Sequence, residues 1–257
     1  MENNNNQCSF NFSHYREILK SALKAGYRFV SFDKQYLKSN KKICFLRHDI
    51  DYMPWWALDM ARAENKMNIK ATYFFQLNAA TYNIMERKTF ETVHELARLG
   101  HRIGLHFDTG RYPNFKLKQC KSLCRVEQQL MEEILKIKIT DIISFHCPQK
   151  EVLGSKIKGI VSTYEPDFFV RTKYLSDSQG WYEGCVCKIF EKLKYPKLQL
   201  VTHPHCWPKA GGFDFIKDMA GMITFQRDSL FEYMVRFHPV CRNNKEKLIK
   251  EINKKSL

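Results

Sequence analysis

No hydrophobic run in the 257 residues is long enough to span a bilayer, because Lys, Arg, Asp or His interrupts each one well before the roughly 18 residues a span requires. The opening residues, MENNNNQCSFNF, have neither the basic n-region nor the apolar h-region of a secretory leader, so a cytoplasmic location is expected. Internal repeats and long Pro/Gly/Ser linkers are lacking as well. This predicts a single domain over 1–257 with a basic, helical tail at about 242–257.

Acid is in deficit: 27 Asp and Glu stand against 42 Lys and Arg, a formal charge of +15. Such an excess invites a nucleic-acid partner, but no nucleic-acid motif accompanies it and the bases are spread along the chain. A Lys-rich solvated surface accounts for most of it, and a phosphate-bearing substrate is the second use; nucleic acid is not an expected partner. The nine cysteines are an odd number, and several sit inside apolar segments, Cys44 in KICFL and Cys147 in SFHCP. That argues against a disulfide framework and for reduced thiols. The pairs Cys120/Cys124 and Cys185/Cys187 have metal-like spacing, yet the first falls four apart on a helical segment and no second pair stands at zinc-ribbon distance. A structural zinc knuckle is therefore not expected.

What is present is a globular core, 44% hydrophobic and 14% aromatic, patterned as alternating helices and strands. SHYREILKSALKAG, WWALDMARAENKMNI, KTFETVHELARLGH, KLKQCKSLCRVEQQLMEEILKI and SLFEYMVRFH have helical periodicity. YRFVSF, KKICFLRHDID, KATYFFQLN, RIGLHFD, TDIISFHCP, DFFVRTKYLSDS and LQLVTHPHCW have strand character. The alternation implies a parallel sheet covered by helices, either a barrel or a doubly wound sheet.

Four apolar runs end on their C-terminal side in His or Asp: FLRHDID, IGLHFD, ISFHCP and LVTHPHCW. In either parallel architecture the C-terminal strand ends share one face, so Asp49, Asp51, His106, Asp108, His146, His203 and His205 should meet there. Positions i and i+2 share a strand face, which pairs Asp49 with Asp51, His106 with Asp108 and His203 with His205 toward one cavity. Two carboxylates so close repel unless a cation or proton lies between them, and a divalent metal removes the repulsion. His48 alternates away from that cavity. His14, His94 and His238, on helical segments, read as surface or packing residues. Tyr52, Trp55, Trp56, Trp181 and Trp207 could stack on a sugar ring, although core packing is the commoner use of such residues.

These residues resemble the motifs of the polysaccharide deacetylases, the NodB-homology or carbohydrate esterase family 4 group. RHDIDY is similar to a spaced form of the family's Asp-Asp motif, with Asp49 and Asp51 at the two acidic positions. ATYFF resembles its following strand, and GHRIGLHFDTG its second motif. FHCP stands where Arg-x-Pro is usual, and LVTHPHCW resembles the late strand carrying a catalytic His. The resemblance runs from Ile43 to Trp207 and is nearest to a branch associated with capsule or lipopolysaccharide biosynthesis. It implies a distorted parallel (β/α) barrel of about seven strands.

One position departs from the family: Gly110 occupies the place of its second metal-binding His. Either His146, Asp108 or His203 takes over, or the metal is lost. The resemblance implies a metal-dependent hydrolase that removes an acetyl or formyl group from an N-acylated sugar, a nucleotide- or lipid-linked precursor of surface polysaccharide. The implied cofactor is a divalent ion, zinc by analogy, with Asp51, His106 and His146 as ligands. Asp49 is the general base, in a role it could exchange with Asp51, and His203 protonates the leaving amine. Arg47 or Arg171 orients Asp49, and Asp108, His205 and Trp207 complete the substrate-binding set. The alternative is a metal-free binding or scaffold protein, for which Gly110 is the evidence. Nothing in the sequence bears on oligomeric state.

Overall fold

The computed structural model describes residues 8–254; the expectation of no leader at residues 1–7 and the last three residues of the tail lie outside it. The chain forms two compact units, Met1–Phe213 and Asp214–Leu257. In the first, the order is α1 (Phe12–Lys24), β1 (Arg28–Val30), β2 (Ile43–Ile50), α2 (Ala57–Lys66), β3 (Thr72–Phe75), α3 (Arg87–Arg98) and β4 (Arg102–Asp108). Then follow α4 (Cys120–Leu135), β5 (Ile142–His146), β6 (Val161–Ser162), α5 (Pro166–Phe169), β7 (Lys173–Ser176), α6 (Val186–Glu191) and β8 (Lys197–Thr202). The short β6 and α6 carry too few residues for a periodicity to be read from sequence.

Every strand pairing is parallel, and seven strands run in the order β6-β5-β4-β3-β2-β8-β7. The protein is thus a distorted parallel (β/α) barrel of seven strands, as expected. β1 is additional: it pairs with Ile43 to Phe45 of β2, and β3 takes over the same edge from Arg47 onward. Helical crossovers put all C-terminal strand ends on one face. Between the path's two ends, β6 and β7, side chains span the interior instead of a ladder. Gln199 of β8 donates through Nε2 to the carbonyls of Thr163 (2.9 Å) and Phe168 (2.7 Å), and Arg47 of β2 reaches Thr163 and Tyr164.

Alternation along β2 sorts its residues into two apolar clusters. Ile43 and Phe45 point into the barrel with Val30, Phe32, Phe74, Ile142 and Phe168. Cys44, Leu46 and Ile50 point out beneath the helices. Gly104 on β4 lies opposite Phe74, where a Cβ would come within 2.6 Å of the ring, so no larger residue fits while that ring fills the barrel floor. The interior changes from apolar at the floor to charged at the mouth.

The outer face of β2 has its own buried polar cluster. Glu64 on α2, fully buried, accepts from Tyr15 (2.5 Å) and Tyr73 (2.9 Å) and lies 2.9 Å from His48 Nε2. Burial pushes its carboxyl up, but the His48 charge and these hydrogen bonds outweigh that and hold it below its ordinary value. His48 therefore packs away from the mouth, as its alternation predicts. His101 is likewise structural, held between the Ala61 carbonyl and the Ala71 N–H.

The second unit is helical: α7 (Phe215–Phe237), α8 (Pro239–Asn243) and α9 (Lys245–Lys254). Asp214 caps α7, its carboxylate accepting from the Lys217 N–H at 2.9 Å. Its helices begin well upstream of the tail expected at about 242–257, because α7 extends back from SLFEYMVRFH to Phe215. Among the described residues no helix is long and apolar enough to cross a membrane.

Glu64→Ala would leave Tyr15, Tyr73 and His48 buried without their shared acceptor, and is expected to cost about 3–5 kcal/mol in urea unfolding. A loss below about 1 kcal/mol would mean that the cluster behaves like an exposed ion pair.

Candidate active site

Four strands deliver polar residues to the mouth. Asp49 belongs to β2 and Asp51 follows it; His106 and Asp108 end β4, His146 ends β5, and His203 follows β8. Immediately after the first and third of these, the chain turns sharply through non-glycine residues in the left-handed region, Met53 at φ 43° and Cys147 at φ 41°. Such conformations cost of order 1–3 kcal/mol each and survive only where surrounding structure imposes them.

Asp51 is the centre. Its Oδ1 lies 3.0 Å from His146 Nδ1 and 3.3 Å from His106 Nε2, and those two nitrogens are 3.3 Å apart. Gln76 donates to the same oxygen at 3.3 Å, and His203 Nε2 approaches Oδ2 at 3.7 Å. Burial raises the Asp51 carboxyl, but hydrogen bonds from His106 and His146 and the nearby imidazole charge hold it well below the usual carboxylate range. Hydrogen bonding to Asp51 raises His146 in turn.

The donor set fits a divalent ion. An ion bound tetrahedrally at about 2.1 Å from oxygen and nitrogen ligands spaces its donors about 3.4 Å apart. The three separations here, 3.0, 3.3 and 3.3 Å, come close to that, and one carboxylate with two imidazoles is a donor set that suits zinc, iron or cobalt. Asp108 is not part of the triangle: its Oδ1 accepts from the Gly110 N–H at 2.8 Å and caps the short turn Thr109–Arg111. A Cβ at Gly110 would sit 3.1 Å from that oxygen.

Below Asp51, Asp49 is 2% exposed. Ser144 Oγ lies 3.1 and 3.2 Å from its two oxygens, and Arg47 is 3.3 Å from Oδ2. Arg47 is itself fixed by Tyr164, which accepts from it at 2.8 Å and lies under its guanidinium. Of the two arginines considered for this position, only Arg47 reaches Asp49. Arg171 does not: it lies ahead of β7, at the end of the strands away from the mouth, exposed and paired with Asp167 at 2.7 Å.

Opposite Asp51, a dyad appears that the sequence did not disclose. Asp177, just past β7, bonds His203 Nδ1 at 2.5 Å and accepts at its other oxygen from the His203 N–H (2.9 Å) and the Trp207 indole (2.7 Å). Burial lowers His203, but the charges of Asp177, Asp51 and Asp49 reverse this and lift it to about 9. The polar tip of DFFVRTKYLSDS was the signal for Asp177. Trp207 and His205 stand behind this wall. Trp207 is buried with its N–H committed to Asp177, and His205 packs edge-on against Tyr52 at 4.8 Å; burial and the neighbouring His203 push it down to about 4. Neither lines the mouth cavity of about 430 Å³, a volume suited to a small ligand, whose walls include Asp49, Asp51, His203, Tyr164, Phe169 and Tyr174.

No protein-family model matches the chain, and no curated protein is similar to it in sequence. Among solved structures it is similar to a CE4 esterase from Streptococcus mutans, with 14% identity over 81% of this chain and 95% of that one and a TM-score of 0.43. It is similar also to a CE4 family pseudoenzyme from Bacillus anthracis (14% identity, 74% and 62%, TM-score 0.40). A third is the peptidoglycan deacetylase PdaC from Bacillus subtilis (15% identity, 77% and 98%, TM-score 0.34). The chain spans under two thirds of the length of the pseudoenzyme.

Asp51→Ala is expected to remove one equivalent of bound divalent ion, read by elemental mass spectrometry, with the circular dichroism spectrum unchanged. An unaltered ion content would contradict the assignment of Asp51 as a ligand.

Proposed function

We propose that the protein is a metal-dependent hydrolase of the polysaccharide-deacetylase kind, removing an acetyl or formyl group from an N-acylated sugar. The observation that carries this reading is the triangle of Asp51, His106 and His146, whose ligand atoms lie within 4.8 Å of one another, set beside a separate carboxylate and a separate imidazole. Those three residues hold the ion. When bound, a divalent ion polarises the substrate carbonyl and makes water acidic enough to deprotonate near neutral pH.

Asp49, held by Ser144 and Arg47 one strand step below Asp51, takes the proton from the attacking water. Among the described residues Asp49 is the carboxylate that Arg47 pairs with, and Arg47 serves to orient it. His203, lifted to about 9, carries its proton at neutral pH and delivers it to the departing amine from the opposite wall. Asp177 holds the imidazole with Nδ1 bonded and Nε2 facing the mouth. Tyr164, Phe169 and Tyr174 offer apolar faces to a sugar ring. The net charge of +15 suits a phosphate-bearing, nucleotide- or lipid-linked substrate, and a cytoplasmic step in surface-polysaccharide synthesis is consistent with that chemistry. The second reading, a metal-free binding or scaffold protein, is favoured by Gly110 alone.

Incubation of the zinc- or cobalt-loaded chain with N-acetyl and N-formyl hexosamines, free and nucleotide-linked, is expected to release acetate or formate, with the release stopped by a chelator and restored by added metal. A chain whose mouth takes up no ion and that releases neither acid favours the metal-free scaffold, and a loaded mouth that releases neither acid from any of them contradicts the hydrolase.

The rate of the metal-loaded chain should fall on the alkaline side as His203 loses its proton, the acid form being present below that limb and lost above it, and a cation on Asp51 draws the limb below the metal-free value of about 9. Asp177→Asn, which removes the carboxylate that most raises His203, should move that limb to lower pH and cut the rate at pH 8. An unshifted limb in this variant would remove His203 from the acid's role.

A further inference from the structure

Four residues that the barrel mouth does not use meet elsewhere in the first unit. Cys8 precedes α1, His14 lies in its first turn, Cys185 precedes α6 and Cys187 lies in the first turn of α6. The ligand atoms of Cys8, His14 and Cys185 all fall within 4.8 Å of one another. His14 Nε2 is 2.9 Å from Cys185 Sγ and 3.8 Å from Cys187 Sγ. Cys185 and Cys187 are buried, Cys8 and His14 half-buried.

We propose that these four side chains form a second metal centre, a closed Cys3His zinc site that pins the N-terminal segment to the β7–α6 connection. Around a tetrahedral zinc, with zinc–sulfur about 2.3 Å and zinc–nitrogen about 2.0 Å, nitrogen and sulfur donors stand about 3.5 Å apart, and the two His14–sulfur separations, 2.9 and 3.8 Å, lie on either side of that value. Cys8, His14 and Cys185 form the compact triangle, and Cys187, outside it but beside His14, supplies the fourth donor on closing around the ion. Three thiolates and one imidazole fill all four positions, which makes the site structural and leaves no coordination place for substrate.

An independent feature points the same way. The far ring nitrogen of His14, Nδ1, bonds the Glu17 carboxylate at 2.9 Å. A proton on Nδ1 shared with that carboxylate leaves Nε2, which faces the sulfurs, as the ring nitrogen available to a metal, the arrangement by which carboxylates orient metal-bound histidines. The His14 backbone is also fixed, its N–H donating to Asn11 Oδ1 at 2.9 Å as the helix cap. Phe10, in the left-handed region at φ 40°, turns the chain so that Cys8 folds back over the start of α1.

The site would brace the mouth from behind. Phe10 packs on Trp181 (5.9 Å) and Trp207 (5.3 Å), and Trp207 donates to Asp177, the partner of His203. The paired spacing Cys185/Cys187 was visible in the sequence, but its partners lie more than 170 residues away, and His14 read as a packing residue. The proposal is independent of the hydrolase reading.

The test uses the full chain with the mouth disabled by Asp51→Ala and His146→Ala, which remove two of its three ligands, so that a remaining ion belongs to the second site. About one zinc per chain should remain after dialysis, a number set by one closed four-ligand site. Replacement by cobalt should give thiolate-to-metal charge-transfer absorption in the near ultraviolet and the intense visible bands of a tetrahedral site. Glu17→Ala, an exposed change that leaves all four ligands in place, should weaken zinc about ten- to a hundred-fold. Retention of no zinc with all thiols free, a cobalt spectrum without sulfur charge transfer, or a Cys8–Cys185 disulfide by mass spectrometry would each overturn the proposal.

Discussion

The protein is organised around the need to neutralise two carboxylates at the end of one buried strand. Asp49 and Asp51 lie a single alternation step apart on the inner face of β2, where burial penalises charge and the two repel. Each has a separate solution. Asp49 lies between a guanidinium and a serine hydroxyl; Asp51 is surrounded by three imidazoles. The polar interior that this requires sits above an apolar floor of Phe45, Phe74 and Phe168, which keeps water from reaching the charges from below.

The same strand carries a second electrostatic arrangement on its other face. His48, between Asp49 and Arg47 in sequence, points outward to Glu64 and is enclosed by Tyr15 and Tyr73. Two buried charge clusters are thus separated only by the thickness of the sheet. The outer one has all its members paired within the protein and no opening to solvent, which marks it as part of the framework. The inner one opens on a cavity and leaves Asp51 with more donors than a carboxylate needs, as a site for an ion would.

The barrel and most of the mouth were legible in the sequence because both follow from local rules. Alternation and parallel strand order together predict that the C-terminal tips of β2, β4, β5 and β8 converge, and the seven-strand path accords with this. What depends on which strands are neighbours was not legible. Asp177 takes its role from the pairing of β7 with β8, and although DFFVRTKYLSDS reads as a strand with a polar tip, nothing local says that the tip lies beside His203. The short turn Pro204–Cys206 after β8 tucks His205 and Trp207 behind the wall, so alternation beyond the strand's last residue misplaces them. Arg171 fails by the same rule that succeeds elsewhere, since it sits at the start of a strand and not at its end. The cysteine cluster joins segments from opposite ends of the first unit, and only the fold brings them together.

Gly110 gives the account its sharpest point of tension, because a ligand is expected there from the family resemblance, whereas the triangle is completed by His146 from the next strand. Anomalous X-ray diffraction at the zinc edge from crystals of the zinc-loaded chain tests this directly. The account predicts a peak at the barrel mouth within bonding distance of Asp51, His106 and His146 together. A mouth without a peak, or an ion there that leaves His146 unbound, would contradict it.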